Sequence, residues 1–184
     1  MKIVLASSSP RRRELLETAG LEFEVDVEGV EERAVGATPQ EKVCSIAAQK
    51  CEPVSRRRPG DCVIGADTVV SIDGDILGKP KSREDAKAML RRLSGREHAV
   101  YTGVCIMCGG RQKIFSEKTK VKFFELTDGE IDAYVESGEP MDKAGAYGIQ
   151  GLGCTLVEGI CGDYFNVVGL PLARTVREIR KIAK

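Results

Sequence analysis

Ser7-Ser8-Ser9-Pro10-Arg11-Arg12-Arg13 gathers three hydroxyls and three guanidinium groups into seven consecutive residues. The run follows Lys2-Ile3-Val4-Leu5-Ala6, which reads as a short buried strand, and leads into a helical pattern over residues 14–19 that Gly20 stops. Ser9 is a natural N-cap, and Pro10 fits the first helical turn, where its missing N–H costs nothing. A helix N-terminus offers free N–H groups and partial positive charge to an anion. The spacing therefore predicts a cradle for phosphate or another multivalent anion. A solvated basic turn that only caps a helix is the alternative, and these residues alone weigh the two evenly.

Asp67 is the strongest single carboxylate. It follows the apolar strand Cys62-Val63-Ile64-Gly65, so it is expected at a strand end, where a rigid element can aim it into a crevice. An aspartate that caps a turn is the competing account. Glu31-Glu32 form an acidic pair after the first helix–strand unit, and one of them could share a divalent cation with Asp67. Lys79 lies in the tight turn Gly78-Lys79-Pro80, and Lys50 sits late in a second helix, where a surface role is the ordinary explanation.

Several chemistries drop out. The stretch from Gly74 to Lys79 imitates a P-loop, but only three residues separate Gly74 from Gly78, and Pro80 stands where Ser or Thr is needed. No G-x-G-x-x-G opens a helix after a strand. His98 is the only histidine, and no nucleophile elbow accompanies it. What remains suits metal-assisted phosphoryl chemistry on a soluble phosphorylated substrate. It suits equally a protein that binds a nucleotide without turning it over.

The elements that must position these residues follow from the rest of the chain. With 184 residues and 42% hydrophobic content the chain can bury a real core as one domain, 1–184. Its 28 basic and 28 acidic residues lack the electrostatic footprint of a duplex-binding protein. No apolar run approaches membrane-spanning or signal-peptide length, which predicts a soluble, cytoplasmic protein with no membrane partner. Seven cysteines, an odd number, argue against a disulfide framework. Cys105 and Cys108 lie three apart in a strand pattern, which points them to opposite faces and suits zinc poorly.

Thr38-Pro39-Gln40-Glu41 is a capping box for a helix expected to run to about Cys51 before Pro53 stops it. The basic run Ser55 to Gly60 reads as a solvated loop. Residues 62–65 and 69–72 read as strands, with the turn Asp73-Gly74 leading to Ile76-Leu77. A helix is predicted from Ser82 to Leu93, a long hairpin around Gly109-Gly110, and a helix behind the box Thr127-Asp128-Gly129-Glu130. Residues 145–153 read as a glycine-rich loop, and Pro171 opens a C-terminal helix. Helices mixed with antiparallel hairpins predict an α/β fold on a mixed sheet.

Taken together, Leu5-Ala6-Ser7-Ser8-Ser9-Pro10-Arg11-Arg12, Gly65-Ala66-Asp67-Thr68-Val69-Val70, Gly78-Lys79-Pro80 and Leu93-Ser94-Gly95 resemble the Maf family of nucleoside triphosphate pyrophosphatases. Asp142-Lys143-Ala144-Gly145-Ala146-Tyr147-Gly148-Ile149-Gln150-Gly151 and Val167-Val168-Gly169-Leu170-Pro171-Leu172 extend the likeness in order over essentially the whole chain. The resemblance implies an α/β, Maf/ITPase-like fold of two lobes around an elongated mixed sheet, with a central nucleotide-binding cleft. It implies a hydrolase acting on acid anhydrides, converting a nucleoside triphosphate to monophosphate and pyrophosphate with a divalent cation (Mg, Mn or Co). Asp67 then matches the proton acceptor, with Glu32 beside it at the metal. Ser7, Ser9, Arg12, Glu32, Lys50, Lys79 and Asp142 match the substrate-binding positions.

Arg11, Thr68 and Gln150 match the branch that hydrolyses dTTP and UTP, modified pyrimidine nucleotides being further candidates. A second branch, acting on 7-methyl-GTP, carries tryptophan, glutamine and glutamate there. The resemblance also leaves open a homodimer, and a non-catalytic, nucleotide-binding regulator of septum formation as the alternative function.

Overall fold

The computed structural model describes residues 1–183. Its first third alternates strand and helix: β1 (Ile3–Leu5), α1 (Pro10–Thr18), β2 (Phe23–Val25), α2 (Pro39–Arg57) and β3 (Cys62–Ile72). β1 pairs in parallel with both neighbours, Leu5 lying opposite Val25 of β2 and Ile64 of β3. The chain thus leaves β1 through α1 in one direction and returns past it through α2. Right-handed crossovers put those two helices on opposite faces of the sheet. Side-chain alternation along β3 agrees, because Gly65 and Asp67 meet α2 while Thr68 meets α1.

Next come β4 (Asp75–Leu77), α3 (Arg83–Leu93), β5 (Glu97–Cys108), β6 (Arg111–Phe123) and α4 (Asp128–Glu136). Three short 3-10 turns then precede β7 (Val157–Cys161), α5 (Tyr164–Val168) and α6 (Leu172–Ile182). The seven-stranded sheet has the order β2-β1-β3-β5-β6-β7, with β4 paired to β3. The β3–β4 and β6–β7 pairs are antiparallel, so the fold is α/β on a mixed sheet.

The chain divides into two compact units. The first comprises Met1–Thr68, Thr102–Glu117 and the C-terminal stretch from Gly169; the second comprises Val69–Tyr101 and Lys118–Val168. In the first, Val4, Ala6, Val63 and Cys105 pack with Ala47, Cys51 and Val54 of α2. α2 rides so close to the sheet that two strand positions tolerate only glycine. A Cβ on Gly65 would stand 2.4 Å from the Ala47 carbonyl oxygen, and one on Gly103 would stand 2.4 Å from the Val43 carbonyl carbon. In the second unit, Leu90 and Leu93 of α3, Ile131 and Val135 of α4, and Phe123 of β6 share one core.

Local structure departs from the sequence reading in five places. Residues 62–65 and 69–72 belong to one strand, β3, so Asp67 lies inside a strand and not at its end. α2 runs through Pro53 to Arg57. Pro53 deprives Gln49 of an i→i−4 bond, but Cys51 and Val54 prolong the buried stripe begun by Val43 and Ala47, and packing carries the helix on. The basic run is not simply solvated: Arg57 pairs with Asp26 and Glu28, and Arg58 with Glu24 and Asp61. Ser9 is at the N-cap position of α1, yet its side chain makes no capping bond. β7 and α5 had no sequence signal. Among the described residues no helix is long and apolar enough to cross a membrane.

Candidate active site

The first unit gathers its polar residues where β1 ends and α1 begins, alongside the middle of β3. In an open α/β sheet a ligand crevice forms outside the carboxyl ends of strands where the chain switches direction, and the 2-1-3 order puts that switch between β1 and β3. Lys50 reaches this point from α2. Its Nζ donates to Asp67 Oδ1 at 2.8 Å and lies 3.1 Å from Glu32 Oε1. Burying α2 against Gly65 is what brings Lys50 one turn along the helix to the level of Asp67. Lys50 and Asp67 side chains are 19% and 13% exposed, so this ion pair is shielded where a surface pair would be screened.

Of the acidic pair, Glu32 turns inward to Lys50, whereas Glu31 faces out and pairs with Arg33 at 3.0 Å. Two carboxylates facing one ammonium leave a net negative charge at a single point. Hard oxygen donors so placed suit a hard divalent cation bound through one or two carboxylates plus substrate phosphate oxygens. Among the described residues no group of three or more His, Cys, Asp or Glu side chains could hold a metal.

The three arginines do not converge. Successive helical residues point about 100° apart, and only Arg12 turns into the protein, where it is 8% exposed. Arg13 lines a shallow depression with Glu17, Leu21 and Phe23. Arg12 donates from Nε to the Gly169 carbonyl at 2.9 Å, and from its two terminal nitrogens to Ser7 Oγ at 3.0 Å and Thr68 Oγ1 at 3.1 Å. Guanidinium carries five N–H donors, so these three bonds leave two for a ligand. Burial pulls the Arg12 guanidinium below its ordinary value; Asp67 and Glu32 oppose that pull, and Arg11 adds to it. Ser7 is buried and also accepts from the Ser9 N–H at 3.3 Å. Thr68 further bonds to Thr102 at 2.9 Å. Arg11 is half-buried, and Ser9 keeps its hydroxyl out of the helix cap.

Lys79, Asp142 and Gln150 belong to the second unit. Lys79 is exposed in the loop after β4. That loop lies against the segment holding Asp142 and Gln150, because the Gly145 N–H donates to the Gly78 carbonyl at 2.9 Å. Asp142 accepts from Lys143 Nζ at 2.8 Å. Ala146 is buried at φ 59°, a left-handed conformation rare for a residue with a Cβ. Such strain persists where the surroundings over-determine it, as at ligand sites.

A match to the Maf-like protein family covers residues 2–182. The chain belongs to the Maf family. Among curated relatives, the dTTP/UTP pyrophosphatase of Bacillus anthracis is 53% identical over 182 residues, 98% of this chain and 95% of the relative. The dTTP/UTP pyrophosphatase of Geobacillus sp. (strain WCH70) is 53% identical across 98% of both chains. Among solved structures, the Staphylococcus aureus Ham1 protein aligns with a TM-score of 0.49 at 16% identity, over 67% of this chain and 72% of that one. That likeness is too slight to add to the family assignment.

Sequence reasoning missed the groups that brace this Maf chain's motifs. Thr102 and the Gly169 carbonyl complete the Arg12 network from 34 and 101 residues beyond Thr68. His98, considered in the sequence only for catalysis or metal binding, is buried in the second unit with its Nε2 2.7 Å from the Tyr147 hydroxyl. Glu139 binds a loop that lies up to 14 residues further along. None of these pairings leaves a local pattern; only the fold brings them together.

Proposed function

We propose that this chain hydrolyses dTTP and UTP to the corresponding monophosphate and pyrophosphate, acting in the cytoplasm as a single domain. The observation that carries the reading is the shielded Asp67–Lys50 pair, joined by Glu32, close to Arg12 of α1. Relatives at 53% identity that bear the name dTTP/UTP pyrophosphatase support the substrate.

The triphosphate meets the N–H groups that open α1, where Ser9 has an uncommitted hydroxyl and Arg12 two uncommitted donors. Lys50 fixes Asp67 through Oδ1. The other carboxylate oxygen takes a proton from water as that water's oxygen bonds to the α-phosphorus. The bond from the α-phosphorus to the α–β bridging oxygen breaks, and pyrophosphate leaves. A divalent cation held by Asp67 and Glu32, Mg, Mn or Co, would neutralise phosphate charge. Lys79 and Asp142 keep the substrate-binding roles that the family resemblance implies for their motifs. Gln150 suits a thymine or uracil edge, because its amide both donates to a carbonyl and accepts from the N3–H.

Pyrophosphate release from a nucleotide panel at equal concentration, with each of the three cations, tests the reading. dTTP and UTP should exceed every purine nucleotide. Release of orthophosphate in place of pyrophosphate, or a preference for 7-methyl-GTP, would overturn it.

A further inference from the structure

The glycine-rich segment after Asp142 is held by a carboxylate that the mechanism does not use. Residues Gly151–Leu156 form a 3-10 turn with Gln150 at its N-cap position. An N-cap side chain ordinarily accepts from the N–H of the second or third residue of the turn. Gln150 makes no such bond. Glu139 supplies it from outside: its Oε2 accepts from the Leu152 N–H at 2.9 Å and its Oε1 from the Gly153 N–H at 3.1 Å.

A tyrosine hydroxyl joins the clasp. The Tyr134 hydroxyl donates to Glu139 Oε1 at 2.9 Å and accepts from the Gly148 N–H at 3.2 Å. Gly151, at φ +63°, brings its backbone so near that a Cβ there would stand 2.6 Å from Glu139 Oε2. A Cβ on Gly153 would meet the Gly148 oxygen at 2.1 Å. Burial pushes the Glu139 carboxyl up, but the N–H groups of Leu152 and Gly153 and the Tyr134 hydroxyl outweigh it and hold the group below its ordinary value. The turn is therefore capped by an ionised carboxylate thirteen residues before Leu152.

We infer that Glu139 is a positioning residue for base recognition: by capping this turn in place of Gln150, it frees and orients the Gln150 amide for the nucleotide base. The inference rests on the reading of Gln150 as a base contact given above. A residue with a good capping side chain in that position would turn back onto the Leu152 and Gly153 N–H groups. Glutamine is a poor capper, and with Glu139 present it is not asked to cap.

The experiment measures kcat and KM for dTTP and dGTP in Glu139→Gln, Gln150→Ala and the double variant Glu139→Gln/Gln150→Asp, with melting temperatures for each. Glu139→Gln keeps the shape but replaces an acceptor oxygen by an NH2 group facing other donors. Both single variants should lower the dTTP-over-dGTP ratio of kcat/KM by about tenfold or more, mainly through KM for dTTP. In the double variant the introduced aspartate can cap in the usual way, so the melting temperature should recover while the ratio stays low. An unchanged ratio in Glu139→Gln, beside a lowered one in Gln150→Ala, would overturn the inference and spare the Gln150 reading. An unchanged ratio in Gln150→Ala would sink both. If Glu139→Gln does not fold, Tyr134→Phe removes one donor from the same carboxylate. It should shift the ratio in the same direction by less, and no shift there would also overturn the inference.

Discussion

Lys50, Asp67 and Arg12 project from the interior of a helix, the middle of a strand and the first turn of a helix. Residues 142–153 have no such support; they wind through short 3-10 turns with Gly145 and Gly151 at positive φ and Ala146 strained between them. Both regions carry family motifs, yet they are made rigid by different means. The first unit fixes its charged groups through regular backbone and tight helix–sheet packing. The second fixes irregular backbone through side-chain hydrogen bonds, from the half-buried Glu139 and from the buried His98–Tyr147 pair. A group that takes a proton needs one fixed position, which regular elements provide. An irregular segment leaves backbone polar groups without a regular ladder, and they then need partners from elsewhere.

The largest expected effect tests the first half of that contrast. Asp67→Asn keeps the shape of the side chain but cannot accept the water's proton. Its kcat should fall by about 10²–10⁴-fold, the range of a general base, with the melting curve little changed. Survival of more than about a tenth of wild-type kcat would remove Asp67 from proton transfer.

His98 tests the other half. Its ring packs edge-on against Phe123 and Tyr147 at centroid distances of 5.0 and 5.3 Å, and its Nδ1 has no hydrogen-bond partner. Burial pushes its pKa down to about 4, with Glu97 pulling weakly the other way. Below about pH 6.5 the unfolded chain therefore binds a proton that the folded protein refuses, and stability drains away between that pH and about 4. The full loss is roughly 3 kcal/mol. Urea unfolding at pH 7 and pH 4.5 should show a larger drop in wild type than in His98→Gln. Equal drops would mean that His98 is not the group that makes the second unit acid-sensitive.

How much of this was legible depends on how far apart the partners lie in the chain. The hairpin at Asp73-Gly74, the capping boxes at Thr38 and Thr127, and the stop at Gly20 are interactions within a few residues, and all appear where expected. The seven-residue run at Ser7 could not say that Arg12 alone turns inward, because helix phase relative to the sheet is a tertiary property. Asp67 was legible as a residue and not as a location. The break expected after Gly65 reflected polar Asp67-Thr68, which lie in the strand because Lys50 and Arg12 satisfy them from opposite faces. Glu139 had no signal, since a carboxylate that caps a distant turn looks like any exposed glutamate beside Ser137-Gly138.

Gly65→Ala sharpens the claim that packing sets the first unit. The new methyl would press on the Ala47 carbonyl, which is backbone and cannot swing aside. Overpacking of this kind costs about 1–3 kcal/mol. Moving α2 also moves Lys50, so kcat should fall along with the melting temperature. Gly60→Ala, where nothing lies within 4 Å of the new atom, serves as the control. If Gly65→Ala lowers stability but leaves kcat alone, the Lys50–Asp67 pair does not depend on how closely α2 approaches the sheet.

The smallest effect should be the same in both regions, and that equality is itself informative. Thr38 and Thr127 each accept from the N–H three residues on, and Glu41 and Glu130 each reach back to the N-cap N–H. The bonds hold both glutamate carboxyls below their ordinary range. Replacing either threonine by alanine should cost about 1 kcal/mol, the usual value of a helix cap. Neither should change kcat, because each cap lies at the start of its helix, and Lys50 comes about three turns after Thr38. Thermal unfolding with parallel dTTP kinetics checks both. A fall in kcat for Thr38→Ala alone would show that α2 transmits fraying from its first turn to Lys50. The first unit would then be held together by its whole helix and not by the contact at Gly65.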